Sequence, residues 1–134
     1  MGHAVIVAGL GCRRGCPGEE IAALLHRSFD EAGLSESARA AVLLAAPDSK
    51  AGEPGIVEAA RLLALPLHFV GEPALEAVQD RVRTRSARVE AAVGLASVAE
   101  AAALAAAGPA SCLLLPRRAT PRATCALAVS EGFP

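Results

Sequence analysis

Short apolar runs, broken by glycine and proline, alternate along the chain with stretches whose apolar positions recur at helical spacing. Ala4 to Ala8 is a β-branched, apolar run ending at Gly9, which predicts a buried strand. The glycine-rich turn Gly9-Leu-Gly-Cys-Arg-Arg-Gly15 follows it. Pro17 suits the first turn of a helix, and Glu19 and Glu20 suit its positive N-terminus. Ile21, Leu24, Leu25, Ser28 and Phe29 keep helical spacing to Ala32, and Gly33 is a C-terminal stop. The first unit therefore reads as strand, glycine turn, helix.

Ala40 to Ala46 is a second apolar run and a predicted strand, left through the loop Pro47-Asp48-Ser49-Lys50. Glu53-Pro54-Gly55 opens a second helix, Ile56 to Leu63. Leu67 to Val70 is a third strand, and Gly71-Glu72-Pro73 starts a short helix through Gln79. Asp80 to Glu90 carries Arg81, Arg83, Arg85 and Arg88 with only Val82 and Val89 as large apolar residues, and reads as a connection or an extended edge. Ser97, with Glu100 at capping-box spacing, begins an Ala-rich helix from Val98 to Ala107 that stops at Gly108-Pro109. Cys112 to Leu115 is a fourth strand, Pro116 to Arg122 a basic loop, Ala123 to Val129 a fifth strand, and Ser130 to Pro134 a tail. Strands alternating with helices indicate an α/β fold. The last two strands, joined by a loop alone, fit an antiparallel hairpin, so the sheet is mixed. The expected architecture is a three-layer α/β/α sandwich with a mixed, mostly parallel sheet of about five strands. No repeat, linker or boundary divides residues 1–134, which are expected to form one domain.

Composition narrows the function. The 134 residues are 53% hydrophobic and 20% charged, enough apolar material for a real core. Aromatic residues are only 2%, which excludes nucleic-acid binding by base stacking. A net charge of −1 excludes a general polyanion binder. That charge is uneven: residues 1–80 hold 6 basic and 11 acidic side chains, and residues 81–134 hold 7 and 3. About a quarter of the chain is alanine and Lys50 is its single lysine, a bias we assign partly to codon usage. No apolar run reaches the ~18 residues needed to cross a bilayer. The start lacks a basic leader, and Ile6 breaks the myristoylation pattern after Met-Gly. A cytoplasmic protein is expected, with no membrane or nucleic-acid partner and with its four cysteines reduced.

The candidate chemistry is cationic. In Gly9–Gly15 the glycines permit close approach, the following helix offers N–H groups, and Arg13 and Arg14 add charge. The run matches neither nucleotide fingerprint, since Arg14 replaces the third glycine of a dinucleotide loop and no Gly-Lys-Ser/Thr occurs. It reads either as an anion site or as a plain turn with two solvated arginines. Asp48, Lys50 and Glu53 follow the second strand, at the sheet edge where α/β proteins bind ligands. They suit acid–base work, or equally a turn cap and a helix start. Arg117, Arg118 and Arg122, with Thr120 and Thr124, form a second basic cluster suited to carboxylates, or a solvated hairpin loop. Cys12 and Cys16 lack Cys-x-x-Cys spacing, and His3, His26 and His68 stand apart, so neither a metal site nor a cofactor is expected. A reactive Cys12 thiolate, lowered by the neighbouring arginines, is a disfavoured option.

Taken in order, these motifs resemble the CobE/CbiG C-terminal family of cobalamin biosynthesis. The resemblance rests on Gly9–Gly15 with Glu19-Glu20-Ile21, on Asp48-Ser-Lys50 with Glu53-Pro54-Gly55, on Val93-Gly94 with Ser97-Val-Ala-Glu-Ala-Ala, and on Pro116-Arg-Arg118 with Thr124-Cys-Ala-Leu-Ala128. It covers nearly the whole chain, and the short length looks like the stand-alone form of the aerobic pathway. It implies an α/β/α sandwich and a role in building the corrin ring, whose intermediates are tetrapyrroles rich in acetate and propionate groups. In the anaerobic pathway the longer relatives open a lactone on a cobalt-precorrin. The chain departs from the family at Arg117, Arg118 and Pro121-Arg122, where Lys and a small polar residue are common, and at Gly52, where an acidic residue is common.

The leading expectation is a protein that binds an anionic precorrin or later corrin intermediate. Gly9, Gly11, Arg13, Arg14 and Gly15 would hold carboxylates, Lys50, Arg117 and Arg118 would clamp others, and Thr124 would donate a hydrogen bond. The alternatives are a hydrolase of a precorrin lactone, with Asp48 or Glu53 as general base, and an accessory subunit that meets other pathway enzymes through its Ala-rich helix.

Overall fold

The computed structural model describes residues 5–83 and 97–130. Five strands form one sheet: β1 (Val5–Cys12), β2 (Leu43–Pro47), β3 (Leu67–Val70), β4 (Ser111–Ala119) and β5 (Ala123–Ser130). Among the described residues five α-helices accompany them: α1 (Gly18–Glu31), α2 (Glu36–Ala40), α3 (Pro54–Leu63), α4 (Glu72–Ala77) and α5 (Val98–Ala107). Short 3₁₀ turns cover Asp48–Lys50 and Gln79–Arg81. The strand order is β3-β2-β1-β5-β4. β1, β2 and β3 pair in parallel, whereas β5 pairs antiparallel with both β1 and β4. The mixed sheet and the closing hairpin are as the sequence predicts.

Alternation along the strands sends successive side chains to two cores. Ala8, Leu10, Leu44, Leu115 and Leu127 meet Ile21, Leu24, Leu25 and Phe29 of α1 and Ile56 of α3. Val7, Ala45, Leu113 and Ala128 meet α4 and α5 through Leu75, Ala101, Ala102 and Leu104 on the opposite face. The three-layer sandwich follows from this division. Each of the larger side chains contributes about 1.5–3 kcal/mol on burial. α5 is apolar on almost every side, as a helix laid across the middle of a sheet must be.

Several elements differ from the sequence reading. β1 runs on through Gly9 and Gly11 to Cys12, so the turn is confined to Arg13–Gly15. Gly9 lies in the strand because α5 lies almost on its backbone. A Cβ there would meet the Ala99 carbonyl oxygen and lie 2.6 Å from the Ala103 nitrogen. Of Gly9, Gly11 and Gly15, it is Gly15 that takes glycine's positive φ, at 80°. A short α2, capped by Ser35, replaces the start expected for β2, which begins at Leu43. β4 continues past Pro116 to Ala119, leaving a loop of only Thr120, Pro121 and Arg122. The strand tolerates proline because it is at the sheet edge and its register with β5 slips twice, between Leu113 and Leu115 and between Leu115 and Arg118. His3, Arg85, Arg88, Val89, Glu90, Val93-Gly94 and the tail beyond Ser130 lie outside the described residues.

Candidate functional site

The carboxyl ends of the parallel strands and the tip of the β4–β5 hairpin fall at the same edge of the sheet. Between them opens a cleft of about 430 Å³, bounded by the end of β1, the Pro47–Lys50 turn, the N-terminus of α5 and the hairpin tip. This is the edge where ligands bind in open α/β sheets.

Of the expected binding residues, Gly11, Arg13, Lys50, Arg117 and Thr124 line this cleft. Thr124 pairs with Gly11 across the β1–β5 ladder, and a Cβ on Gly11 would sit 2.7 Å from its hydroxyl. Glycine here leaves room for that hydroxyl in the cleft wall. Arg13, Lys50 and Arg117 form no salt bridge with any described residue. No aspartate, glutamate or histidine is among the described residues that line the cleft.

The other expected residues stand elsewhere. Gly9 is covered by α5. Arg14 is exposed on the turn and does not line the cleft. The helix N-terminus that follows Gly15 is occupied by the protein's own carboxylates. The Gly15 N–H donates to Glu53 Oε2 at 2.7 Å, and the Gly18 N–H to Glu58 Oε1 at 3.2 Å. An internal carboxylate thus takes the place expected for an external anion. It also gives Glu53 a structural partner outside the cleft. Asp48 is exposed near Gly71 at the start of α4, and it too is absent from the lining. Arg118 projects toward the α1 layer and pairs with Glu31 at 3.0 Å.

The hairpin tip is held by Glu20 of α1. Its carboxylate accepts from the Thr120 hydroxyl, from the Arg122 N–H at 3.1 Å and from Arg122 Nε at 2.8 Å. These bonds, the one from Thr120 foremost, pull the Glu20 pKa below the ordinary carboxylate value. The Arg13 N–H donates to the Arg122 carbonyl at 2.8 Å and joins the tip to the end of β1. In the sequence Glu20 stands out as suiting a helix start and as part of the Glu19-Glu20-Ile21 motif, and nothing local signals a partner about a hundred residues away.

Ser97 caps α5, its Oγ accepting from the Glu100 N–H at 3.3 Å. Ser97 and Val98 line the cleft, a contribution that the capping pattern alone did not reveal. The fully buried Glu100 lies in the same first turn and offsets the helix's positive end, so attraction for anions rests on the three cationic side chains.

Cys12 also lines the cleft. Burial pushes its pKa up to about 11 despite the nearby Lys50, in line with disfavouring a thiolate there. All four cysteines are unbridged. Among the described residues no group of three or more His, Cys, Asp or Glu is arranged for a metal, and no helix is long and apolar enough to cross a membrane.

Fold and cleft together define a small α/β/α domain with a cation-lined edge. The family described as the cobalamin synthesis G C-terminus matches residues 6–128, and the chain belongs to that family of cobalamin biosynthesis proteins. A curated relative, protein CobE of Sinorhizobium sp., is 39% identical over 123 residues, 92% of this chain and 79% of its own. The crystal structure of a CobE from the cobalamin (vitamin B12) biosynthetic pathway matches with a TM-score of 0.88 and 38% identity, covering 100% of this chain and 96% of that one. The cobalamin biosynthesis protein chiG of Agrobacterium tumefaciens matches with a TM-score of 0.73 and 37% identity, covering 94% and 98%.

Proposed function

We propose that the cleft binds the carboxylate-bearing edge of a tetrapyrrole intermediate of corrin synthesis. The observation that carries this reading is the convergence of Arg13, Lys50 and Arg117, none in an ion pair with a described residue, on a cleft with no described carboxylate in its lining. Neighbouring cations with no counterion among the described residues repel one another, and a ligand bearing several carboxylates relieves that repulsion. Arginine forks and the Thr124 hydroxyl suit carboxylate oxygens. A cleft of about 430 Å³ takes one edge of a macrocycle and leaves the rest in solvent. The relatives' place in cobalamin biosynthesis supplies the ligand class. The hydrolase alternative has less support, because neither Asp48 nor Glu53 lines the cleft.

The test is a titration with uroporphyrin, a tetrapyrrole carrying acetate and propionate groups, followed by visible absorbance. Arg13→Ala, Lys50→Ala and Arg117→Ala should each weaken binding by about 1–3 kcal/mol. Their stability should change little, since Arg13 is exposed, Lys50 and Arg117 are only half-buried, and none is in an ion pair with a described residue. Arg118→Ala, which removes the pair with Glu31 and the guanidinium's bonds to the Pro116 and Arg117 carbonyls but no residue of the cleft lining, should bind normally. Affinity should also fall as salt rises. Absent binding by the parent chain, or equal affinity in all four variants, refutes the reading.

A further inference from the structure

Glu100 is fully buried, yet its carboxylate lies just behind the cleft wall. It accepts from the Arg117 N–H at 2.8 Å and from the Arg83 N–H at 2.7 Å. Arg117 stands where β4 slips against β5, between the paired positions Leu115–Leu127 and Arg118–Cys125. At such a slip the strand ladder no longer fixes the backbone. The Glu100 carboxylate supplies the missing constraint, from a helix whose own N-terminus borders the same cleft.

A buried carboxylate is costly unless it is fully hydrogen-bonded, and a neutral side chain would satisfy a helix cap at lower cost. We infer that Glu100 is a positioning residue: it fixes the bulged backbone at Arg117 and so aims that guanidinium into the cleft. The inference rests on the carboxylate-binding reading above. It assigns Glu100 a role through Arg117 and none toward the ligand directly.

Glu100→Gln keeps the shape but exchanges one acceptor for a donor, so one of the two N–H groups loses its partner. With uroporphyrin as probe, Glu100→Gln should bind about tenfold more weakly than the parent. In an Arg117→Ala background it should have no further effect on affinity, whereas in a Lys50→Ala background it should keep its full effect. A purely structural residue would weaken binding equally in both backgrounds, and that result overturns the inference while leaving the proposed function intact. If Glu100→Gln does not fold, amide hydrogen exchange in the parent chain decides. Uroporphyrin should slow exchange at Arg117 and Arg83 together, because one carboxylate holds both. Slowing at Arg117 alone, or at neither, overturns the inference. Failure of the parent to bind uroporphyrin overturns the proposed function and this role with it.

Discussion

Gly9→Ala adds a single methyl group at the closest contact between sheet and helix. The added carbon would lie 2.6 Å from the Ala103 nitrogen and closer still to the Ala99 carbonyl oxygen, where an ordinary contact starts at about 3.4 Å. Both obstacles are backbone atoms of α5, so no rotamer change relieves them. The helix must retreat by roughly an ångström or more, loosening the packing of Ala101, Ala102, Ala103 and Leu104, all of them at most 1% exposed. Overpacking of this kind costs about 1–3 kcal/mol where side chains can yield. With backbone on both sides we expect the upper end, about 3 kcal/mol. For a domain of this size that lowers the thermal midpoint by about 10–15 °C. Thermal unfolding followed by circular dichroism measures it, with Gly52→Ala as control, because a Cβ at Gly52 meets nothing within 4 Å. A Gly9→Ala midpoint within ~2 °C of that control would refute the close-approach account of Gly9.

Two further predictions concern titration. The Glu20 pKa is depressed in the folded state, so its contribution is present above the unfolded carboxylate value and is lost as pH falls through the folded one. Parent and Glu20→Gln should differ in urea midpoint at pH 7 and converge progressively as pH falls below the ordinary carboxylate value and through the depressed one, and a difference that persists in strong acid would count against the clamp. Cys12, raised to about 11, should react slowly with iodoacetamide at pH 7 and faster toward pH 11 when measured in a Cys112→Ser chain, and Cys12→Ser should bind uroporphyrin normally. Fast alkylation at neutral pH would restore the thiolate reading.

Elements whose signals are local were legible in the sequence. β3 and α5 have the bounds that the Pro66 edge, the Ser97 cap and the Gly108 stop indicate. Gly9 and Gly11 were misread as a turn because glycine marks both tight turns and close approach, and the helix that packs on Gly9 lies some ninety residues on. The five-residue α2 is too short to show a period. The carboxylates that meet the start of α1 were hidden for the same long-range reason: Glu53 and Glu58 arrive from residues 38 and 40 positions away. The β4 bulges changed which arginine faces where. Arg117 and Arg118 look equivalent in sequence, yet one borders the cleft and the other pairs with Glu31.

The pairing of β1 with β5 has a consequence for how the chain acquires its cleft. β1 is the middle strand of the sheet, and its register with β5 joins Val5 to Ser130, nearly the two ends of the described chain. A contact this distant in sequence closes the longest loop the fold contains, and such pairings form slowly. During synthesis β2 and β3 can assemble on one side of β1, while its other side waits for the last strand. The hairpin tip that completes the cleft reaches its place only when β5 docks. The cleft edge is therefore completed late among the described strands, and a chain cut short within β5 loses half the partners of its central strand along with one wall of its cleft.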